Sequence, residues 1–497
     1  MKKQFLLLIS AMLALCSCGE KEDNSSTSNV NPLDSEDNNR TYYQLLVYSF
    51  ADSNNDGIGD FKGIVDKLDY LVDLGIEGLW LSPILKCSSY HAYDVDDYYT
   101  INPSYEVTID GTKYGYDYLL EKCHEKGIKV LMDLVINHCS KKNPLYKEHK
   151  DWFTSSSQWK FGFPEFDYNK AAPILEAKKI GEYWLKEGFD GYRLDAAMWI
   201  FNSGSDRHTK NYAFWQDWCK AMRAVDEDCY IIGEVLDENH DYAYDYAQAG
   251  FDSTFDFNSG KTVIGAVKDN DRTYATQTSA NVKKATKHNK DYILARALSN
   301  HDIGRFNQEH PDSSDKAYYV EDIKQIKLAN AVNALTPGNT FIYYGDELGL
   351  KGTCPEGYQD MNYRTPMPWE NERTNSVKYF LNFKGNGVTT SQCASNKSPE
   401  KDMEDAGSIY TALKNALSVK NANETLQKGS VKVIDGLDNK LNGFDVTLDS
   451  ETIRVVFNGS SNEVNYEMNG TLLYNLSATV ESSNVTLPSY SLIAYTL

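Results

Sequence analysis

An arginine and an aspartate two residues apart form the pair whose types and spacing most directly suggest chemistry. Gly191-Tyr192-Arg193-Leu194-Asp195 follows a helical pattern and a glycine stop, so it predicts a short buried strand that ends on an acid. Side chains two residues apart lie on the same face of a strand, where Arg193 would keep the Asp195 carboxylate ionised as a nucleophile. The alternative is a buried structural ion pair, which this motif by itself does not exclude.

Two further acids follow strand-like runs at spacings that fit the same site. Glu234 comes 39 residues after Asp195, one strand–helix unit, and Asp302 comes 68 residues after Glu234, about two units. Asp133, with Asn137 and His138 shortly after it, ends another apolar run. Because the carboxyl ends of parallel strands meet at one end of a barrel, we expect these side chains to converge at a single mouth.

The elements that would position these residues repeat one unit, an apolar strand, a loop, an amphipathic helix and a glycine stop. Near-continuous apolar strands that alternate with helices indicate a parallel sheet covered on both faces. About eight such units over about 380 residues predict an α/β fold, a (β/α)8 TIM barrel. The strands that the pattern locates are 43–50, 78–81, 128–135, 230–233, 292–298 and 340–344.

The chain of 497 residues is too long for one ordinary core, and its composition divides it into several parts. Short alternating strands with Asn-Gly and Asp-Gly turns predict an all-β C-terminal sandwich. The expected parts are a signal peptide and lipobox over 1–18, a disordered tether over 19–40, the barrel over 41–138 and 170–423, a short domain B inserted after strand 3 over 139–169, and the sandwich over 424–497.

The N-terminal residues predict export and a lipid anchor. Lys2 and Lys3 precede an apolar run over 5–15 that is too short to span a membrane comfortably. The following Leu-Cys-Ser-Cys resembles a bacterial lipobox with Cys18 as the acylated residue, and Cys16 is the poorer alternative. The acidic residues that come next resemble the surface-export tag of Bacteroidota lipoproteins, which implies an outer-membrane lipoprotein exposed at the cell surface.

Charge and cysteine content exclude several classes of partner and site. The formal net charge of −21 repels phosphates, so nucleic acid is not an expected partner, whereas a neutral polymer is compatible with it. Seven cysteines remain beyond the lipobox at scattered spacings without a CxxC pair. A zinc site or a complete disulfide framework is therefore not expected.

Four short stretches resemble the signature regions of the α-amylase family, glycoside hydrolase family 13. They occur in the family's order, and the likeness covers residues 41–497. The four stretches are Asp133-Leu134-Val135-Ile136-Asn137-His138, Gly191-Tyr192-Arg193-Leu194-Asp195, Ile232-Gly233-Glu234-Val235 and Ser299-Asn300-His301-Asp302. Residues 42–52 and 89–95 resemble the cell-surface amylases of Bacteroidota starch-utilisation systems.

The resemblance implies a role for each acid. Asp195 would be the nucleophile, Glu234 the general acid/base, and Asp302 a stabiliser of the oxocarbenium-like transition state. Retention would place the carboxyls of Asp195 and Glu234 about 5–5.5 Å apart. Substrate-binding roles are implied for His91, Tyr93, His138, Arg193 and His301, and for a donor-side clamp of Asp360 and Arg364. A lone histidine in a structural role and a surface salt bridge are the alternatives for these.

A second motif, over residues 52–60, carries oxygen-bearing side chains at alternate positions and glycine at the sixth, like the first half of an EF-hand loop. Position twelve is Gly63, so an EF-hand is excluded, and an Asn/Asp-rich surface turn is the alternative. The resemblance implies one Ca2+ held by Asp52, Asn54, Asp56, the Ile58 carbonyl and Asp60. The short domain B leaves little room for a second calcium at Asn137.

Two departures from the family pattern bear on the acceptor side. The family's Lys-His pair after the nucleophile is Met198-Trp199 here, where Trp199 is either a stacking surface or a core residue. Ala196 directly follows the nucleophile on what the pattern predicts to be the same strand, where a small side chain leaves acceptor space open.

These features predict a retaining hydrolase of α-1,4-glucosidic bonds in starch-type glucans and maltooligosaccharides, acting internally. The enzymatic alternatives are a neopullulanase or an α-glucosidase on the same scaffold. A non-catalytic starch-binding lipoprotein is the alternative from another class, and it predicts eroded carboxylates, whereas all three acids are present. Surface glycan-uptake proteins are candidate partners beside the glucan and the membrane.

Overall fold

A computed structural model describes residues 30–155, 162–236, 242–309, 319–353, 362–370 and 389–497. Eight parallel strands close into a barrel in which each strand pairs with its neighbours in sequence and the first pairs with the last. The predicted (β/α)8 fold is therefore confirmed. The barrel strands are β1 Thr41–Leu45, β2 Gly78–Leu81, β3 Lys129–Leu134, β4 Gly191–Leu194, β5 Tyr230–Gly233, β6 Ser253–Asp256, β7 Ala295–Ala297 and β8 Asn339–Tyr343.

Helices cover the outside of the barrel and short elements extend its loops. The longer helices are Phe61–Asp66, Leu68–Leu74, Tyr116–Glu125, Ala171–Lys186, Arg207–Arg223, Ser259–Lys268, Tyr274–Thr286, Ile323–Leu335 and Ile409–Asn421. Shorter ones are Val47–Phe50, Pro144–Glu148, Tyr242–Asp245, Pro399–Glu404 and Glu424–Lys428. Three two-stranded sheets pair Leu85–Cys87 with Val95–Ile101, Val107–Ile109 with Thr112–Tyr114, and Lys351–Thr353 with Thr389–Gln392.

Alternate residues of the barrel strands fill two separate cores. Tyr42 points into the barrel, where its ring stacks on Tyr230 at 5.2 Å and on Phe341 at 4.9 Å. Its neighbour Tyr43 belongs to the outer core between strands and helices. Both faces of a strand such as β1 are thus apolar, and such a strand reads as a continuous hydrophobic run rather than an alternating one.

The structure corrects several predicted boundaries. The strand predicted over 43–50 ends at Leu45, and Val47–Phe50 forms a buried helical turn. A continuously apolar run has no periodicity that distinguishes a buried strand from a buried turn. The helical pattern after it is two helices that meet at Lys67, and Gly75 ends the second with φ of 97°. The 68 residues between Glu234 and Asp302 predict a further strand between them, and that strand is β6. The hydrophobic pattern alone does not locate it.

The C-terminal residues form the predicted β-sandwich. One sheet has five strands, Ser430–Lys432, Asn442–Leu448, Glu451–Asn458, Thr471–Leu476 and Ser491–Thr496, and the other has Val464–Glu467, Thr479–Glu481 and Asn484–Leu487. Residues of one strand alternate between two cores: Val455 packs in the core shared with the barrel, and Val456 packs against the three-stranded sheet.

Residues 30–40, which we call the N-terminal strap, lie against the N-terminal ends of the barrel strands. The Leu33 N–H donates to Asp190 Oδ1 at 2.5 Å, just before β4. Lys129 Nζ, at the start of β3, donates to Asn38 Oδ1 at 2.8 Å. Arg40 donates through Nη1 to two main-chain carbonyls in the turns before β2 and β3, at 3.1 and 2.9 Å. The disordered tether predicted over 19–40 is therefore wrong for residues 30–40, because main-chain and polar groups bind them to the barrel. The domain boundary predicted at residue 41 lies too late for the same reason.

None of the helices in the described ranges is both long and apolar enough to cross a bilayer.

Replacing Arg40 with Ala removes charged hydrogen bonds that join the strap to two turns. We expect the free energy of unfolding to fall by about 2 kcal/mol, because a hydrogen bond from a charged donor contributes about 1.5–3 kcal/mol. Calorimetric unfolding measures the change. Lys126→Ala is the matched control, since its ion pair with the exposed Asp69 is worth less than about 1 kcal/mol. An Arg40 variant as stable as wild type would show that this side chain does not hold the strap.

Candidate active site

The Arg193 guanidinium joins three carboxylates at the C-terminal mouth of the barrel. Its Nη1 contacts Asp133 Oδ1 at 2.7 Å and Asp195 Oδ1 at 2.8 Å, and its Nη2 contacts Glu234 Oε2 at 2.9 Å. The arginine is 1% exposed. The predicted nucleophile and the predicted acid/base therefore lie at the two ends of one guanidinium, in a setting where a buried cation needs negative partners.

Strand register explains why these residues meet. Arg193 is the partner of Asp133 on β3, and Leu194 is the partner of Gly233 on β5. Asp195 and Glu234 each occupy the position that follows this last pair. Parallel pairing thus places both acids at the same height above the barrel, as expected for strand-end residues.

The residue after Asp195 departs from the predicted strand. Strand β4 ends at Leu194, and Ala196 adopts a left-handed conformation with φ of 48° and ψ of 39°. Its N–H donates to Glu234 Oε2 at 2.9 Å. The prediction that Ala196 continues the strand is wrong. A left-handed turn is disfavoured for residues with a Cβ atom, and here it aims a backbone donor at the second acid.

Asp302 lies at the open side of the site. Its carboxylate accepts from Arg364 Nη2 at 3.0 Å and contacts His301 Nε2 at 3.1 Å, and its side chain is 44% exposed. Arg364 also donates from Nε to the His301 carbonyl at 3.1 Å. Arg364 is therefore at the site as predicted, whereas Asp360 lies outside the described residues.

Tyr93 and His301 form a flat wall beside the acids. Their rings stack with centroids 5.5 Å apart and planes 4° apart. Tyr93 Oη donates to Asp133 Oδ2 at 3.0 Å, and His301 Nδ1 contacts Gln44 Nε2 at 2.8 Å. The Tyr93 ring is thus fixed by stacking on His301 and by the hydrogen bond of its hydroxyl to Asp133. An aromatic ring fixed in this way can pack against the apolar face of a sugar.

Three residues of this network were not assigned roles from the sequence. Gln44 holds His301, Trp80 donates from Nε1 to Asp133 Oδ2 at 3.1 Å, and Asp133 shares Arg193 with Asp195. A buried glutamine within the apolar β1 was the available signal for Gln44, because buried polar side chains require partners.

The other two histidines lie beside this wall. Both ring nitrogens of His138 are within hydrogen-bonding distance of the protein, Nε2 at 3.1 Å from the Tyr93 carbonyl and Nδ1 at 3.2 Å from Asn137 Oδ1. His91 Nδ1 accepts from the Tyr93 N–H at 3.1 Å. Both therefore support the chain around Tyr93, and their sugar-binding roles stay predictions.

The pKa values of the two acids joined by Arg193 differ. Burial raises the pKa of Glu234 to about 7 and that of Asp195 to about 6, and in both cases the Arg193 guanidinium opposes the shift. Glu234 is thus the carboxyl that more readily holds a proton, and Asp195 is the one that more readily ionises. Two carboxyls in different ionisation states are what an acid and a nucleophile in one site require.

Asp302 and His301 titrate far from neutral pH. Partial desolvation in the cleft raises the pKa of Asp302, but His301 and Arg364 outweigh it and hold the pKa below its usual value. Burial lowers the pKa of His301 to about 3. Near neutral pH, Asp302 is therefore a carboxylate that faces the cleft beside a neutral imidazole.

Met198 and Trp199 follow the nucleophile in a short 3-10 turn, Ala197–Trp199. Met198 is buried, whereas Trp199 is half-buried and carries the Arg207 guanidinium 4.9 Å from its ring centroid. Trp199 is thus a partly exposed aromatic surface near the acids rather than a fully packed core residue.

The oxygen-rich loop after β1 is closed by its own backbone. Asp52 accepts from the Asn55 and Gly57 N–H groups, each at 2.8 Å. Asp60 accepts from the Ser53 and Gly63 N–H groups, each at 2.8 Å, and caps the helix Phe61–Asp66. The predicted metal ligands are all oxygen atoms, the type that calcium prefers. In this conformation, however, the carboxylates of Asp52 and Asp60 accept hydrogen bonds from backbone N–H groups, which calcium would have to replace. Within the described ranges no group of three or more His, Cys, Asp and Glu side chains is arranged to hold a metal.

Comparisons with known proteins agree with this site. The family model for the α-amylase catalytic domain matches residues 44–164 and 157–429. The chain is 30% identical to Alpha-amylase 3 of Dictyoglomus thermophilum over 92% of each chain, and 26% identical to a cyclomaltodextrinase of Geobacillus thermopakistaniensis over 88% of this chain and 70% of that one. The solved structure of Eubacterium rectale Amy13B superposes with a TM-score of 0.77 at 27% identity, over 94% of this chain and 97% of that one.

The family match spans most of the chain and includes Arg193, Asp195, Glu234 and Asp302. The chain therefore belongs to the α-amylase family, glycoside hydrolase family 13, and is a glycoside hydrolase that acts on glucans.

Proposed function

We propose that the protein cleaves internal α-1,4-glucosidic bonds of starch-type glucans with retention of anomeric configuration. The observation that carries the proposal is the Arg193 bridge between Asp195 and Glu234. One cation holds both acids at the mouth, while burial gives them different pKa values.

Each acid has one task in the proposed reaction. The Asp195 carboxylate attacks the anomeric carbon while protonated Glu234 gives its proton to the departing glycosidic oxygen. Glu234, now ionised, then takes a proton from water, which attacks the same carbon and releases Asp195. Asp302 stabilises the positive charge that develops on the sugar ring in both steps.

Azide can identify the two acids by the configuration of the product. In Asp195→Ala we expect turnover to fall by about 10⁴-fold or more, with azide restoring it as a β-glycosyl azide, because azide replaces the missing nucleophile. In Glu234→Ala with an activated aryl glycoside, azide should instead give the α-glycosyl azide, because Asp195 still forms the intermediate. NMR of the products measures this, and interchanged configurations would reverse the assignment.

The pH profile of kcat/KM should be a narrow bell. Activity falls below about pH 6, where Asp195 gains a proton, and above about pH 7, where Glu234 loses the proton that it must donate. Because the two acids interact, the two apparent pKa values of the profile belong to the pair rather than to either residue alone. A dinitrophenyl glycoside needs no protonation of its leaving group, so Glu234→Gln on this substrate should lose the alkaline limb. Persistence of that limb would remove Glu234 from the acid role.

We also propose that the loop over 52–60 binds one Ca2+ through Asp52, Asn54, Asp56, the Ile58 carbonyl and Asp60. All of these supply oxygen, the donor that calcium prefers. In the present conformation Asn54 Nδ2 donates to Asp56 Oδ2 at 3.1 Å, so calcium would have to replace bonds of this kind.

Calcium at about 100 times its Kd should raise the free energy of unfolding by about 2.7 kcal/mol, because it binds only the folded state. Chelation should reverse the gain, and Asp56→Ala should abolish it. Asp110→Ala, at another exposed turn, is the matched control and should keep the response. Equal calcium responses in Asp56→Ala and wild type would show that the loop is not the metal site.

Linkage choice is proposed to favour α-1,4 over α-1,6 bonds. The Ala196 methyl group adds little bulk beside the nucleophile, and a β-branched residue would be strained in its left-handed conformation. The half-buried Trp199 offers a flat surface nearby for an acceptor sugar. A difference of this size in one pocket is expected to lower the activation free energy for α-1,4 bonds by about 1–3 kcal/mol relative to α-1,6 bonds.

Product analysis on amylose, pullulan, maltotetraose and isomaltose tests linkage and mode together. We expect early maltose-sized and larger fragments from amylose and slow action on isomaltose. Faster hydrolysis of isomaltose than of maltotetraose would contradict the α-1,4 assignment. Release of panose from pullulan as the main activity would favour a neopullulanase, and glucose released alone from chain ends would favour an α-glucosidase. Absence of turnover on every glucan would favour a starch-binding protein.

We further propose that the protein is a cell-surface lipoprotein of the outer membrane, anchored through Cys18. The lipobox and the acidic residues that follow it support this location, and glycan-uptake proteins at the same surface are the proposed neighbours. Cys18 lies outside the described residues.

A further inference from the structure

We infer that the N-terminal strap determines how the enzyme faces the membrane, with the active-site mouth held away from the bilayer. The inference rests on the proposed lipid anchor at Cys18. It concerns an orientation that neither the family nor the catalytic chemistry specifies.

The strap is bonded to the barrel at both of its ends. Near its start, the Leu33 N–H donates to Asp190, which also contacts His124 Nε2 at 2.9 Å and accepts from the Val130 N–H at 2.6 Å. Near its end, Arg40 N donates to Asn339 Oδ1 at 2.9 Å. Asp190 is itself 1% exposed, so the first attachment is buried rather than a loose surface contact.

All of these attachments lie at the N-terminal ends of barrel strands. Asp190 precedes β4, Val130 lies at the start of β3, and Asn339 begins β8. Asn38 donates to the Asp228 carbonyl just before β5 at 3.3 Å. The three catalytic acids lie at the opposite, C-terminal ends of the strands. The chain therefore leaves the folded domain at the end opposite the active site.

Val30, the first residue of the strap, marks the point at which the chain leaves the described fold. A Cβ atom built on Gly188 would lie 2.7 Å from the Val30 carbonyl, so Val30 is packed against the turn between the helix Ala171–Lys186 and β4. The tether to the lipid begins at this turn, at the rim of the N-terminal end of the barrel.

The length of the tether then limits the orientations that the enzyme can take. Twelve residues from Cys18 to Val30 span at most about 40 Å when fully extended. A globular chain of this size has a diameter of about 60 Å. To press the mouth against the bilayer, the tether would have to run the height of the domain from its far end. That path would use most or all of the tether, whereas the tether stays slack when the N-terminal end or the side of the barrel meets the lipid, so its length favours these orientations.

This orientation suits a polymeric substrate. A mouth that faces outward admits a long glucan from the medium without passing between protein and membrane. The net charge of −21 also opposes close approach of the domain to anionic lipid.

A dye placed at either end of strand β3 tests the orientation. Lys126 and Lys141 are both exposed, the first shortly before β3 and the second shortly after it. Each is changed to Cys in a background with Cys87→Ser and Cys354→Ser, because Cys87 is half-buried and Cys354 lies outside the described residues, while the other described cysteines are buried. The full lipidated chain is reconstituted in phosphatidylethanolamine–phosphatidylglycerol vesicles that carry acceptor-labelled headgroups. Only variants that retain wild-type turnover after labelling are compared.

Energy transfer to the headgroups should be roughly threefold or more greater from Lys126→Cys than from Lys141→Cys. Equal transfer, or greater transfer from Lys141→Cys, would overturn the inference. Inserting about 40 Gly/Ser residues between Ser26 and Thr27 should bring the two transfers close together, because the longer tether reaches around the domain. If the two variants still differ in energy transfer after the insertion, the length of the tether is not what orients the enzyme.

Flotation separates this result from the proposed anchor. Wild type should float with the vesicles, and Cys18→Ala should not, while Cys16→Ala should behave as wild type. If Cys18→Ala floats, the proposed anchor is wrong, whereas equal energy transfer in a floating wild type overturns the orientation alone.

Discussion

The buried Arg193 guanidinium is the interaction on which the active site depends. It contacts Asp133, Asp195 and Glu234 at 2.7 to 2.9 Å, and its carbon lies 5.2 Å from the centroid of Trp80. Without it, three carboxylates would remain buried without the cation that they share, a state that costs several kcal/mol. The planar guanidinium sets the relative positions of the two reacting acids, and its charge limits how far burial raises their pKa values.

Strand register in the barrel converts this local pairing into a catalytic site. The pair Leu194–Gly233 places Asp195 and Glu234 at one height, directly after their strands. Asp133 lies two residues lower, because it is the partner of Arg193. Loops contribute the more exposed parts, namely Asp302 with Arg364, and Tyr93 stacked on His301. The acids that need a defined spacing are thus held by the rigid sheet, and the residues that meet substrate first are held by the loops.

The two ends of the barrel carry different polar networks. At the C-terminal ends Arg193 and Arg364 bind the carboxylates, and the site is open to the cleft at Asp302, whose side chain is 44% exposed. At the N-terminal ends Asp190 and Asn339 are buried and bind the strap, so their polar atoms stabilise the fold. This division follows the general behaviour of such barrels, in which function is at one end and stability at the other.

Residue types and spacing determined the barrel, the β-sandwich and the gathering of Asp195, Glu234 and Asp302, because apolar strands recur regularly and parallel strands end together. The sequence pattern did not indicate that Arg193 also holds Asp133, that Ala196 turns left-handed toward Glu234, or that residues 30–40 bind the barrel. These features depend on register between distant strands and on the path of the chain after a strand ends. Hydrophobic periodicity reports only which face of an element is buried, so the tertiary structure alone decided them.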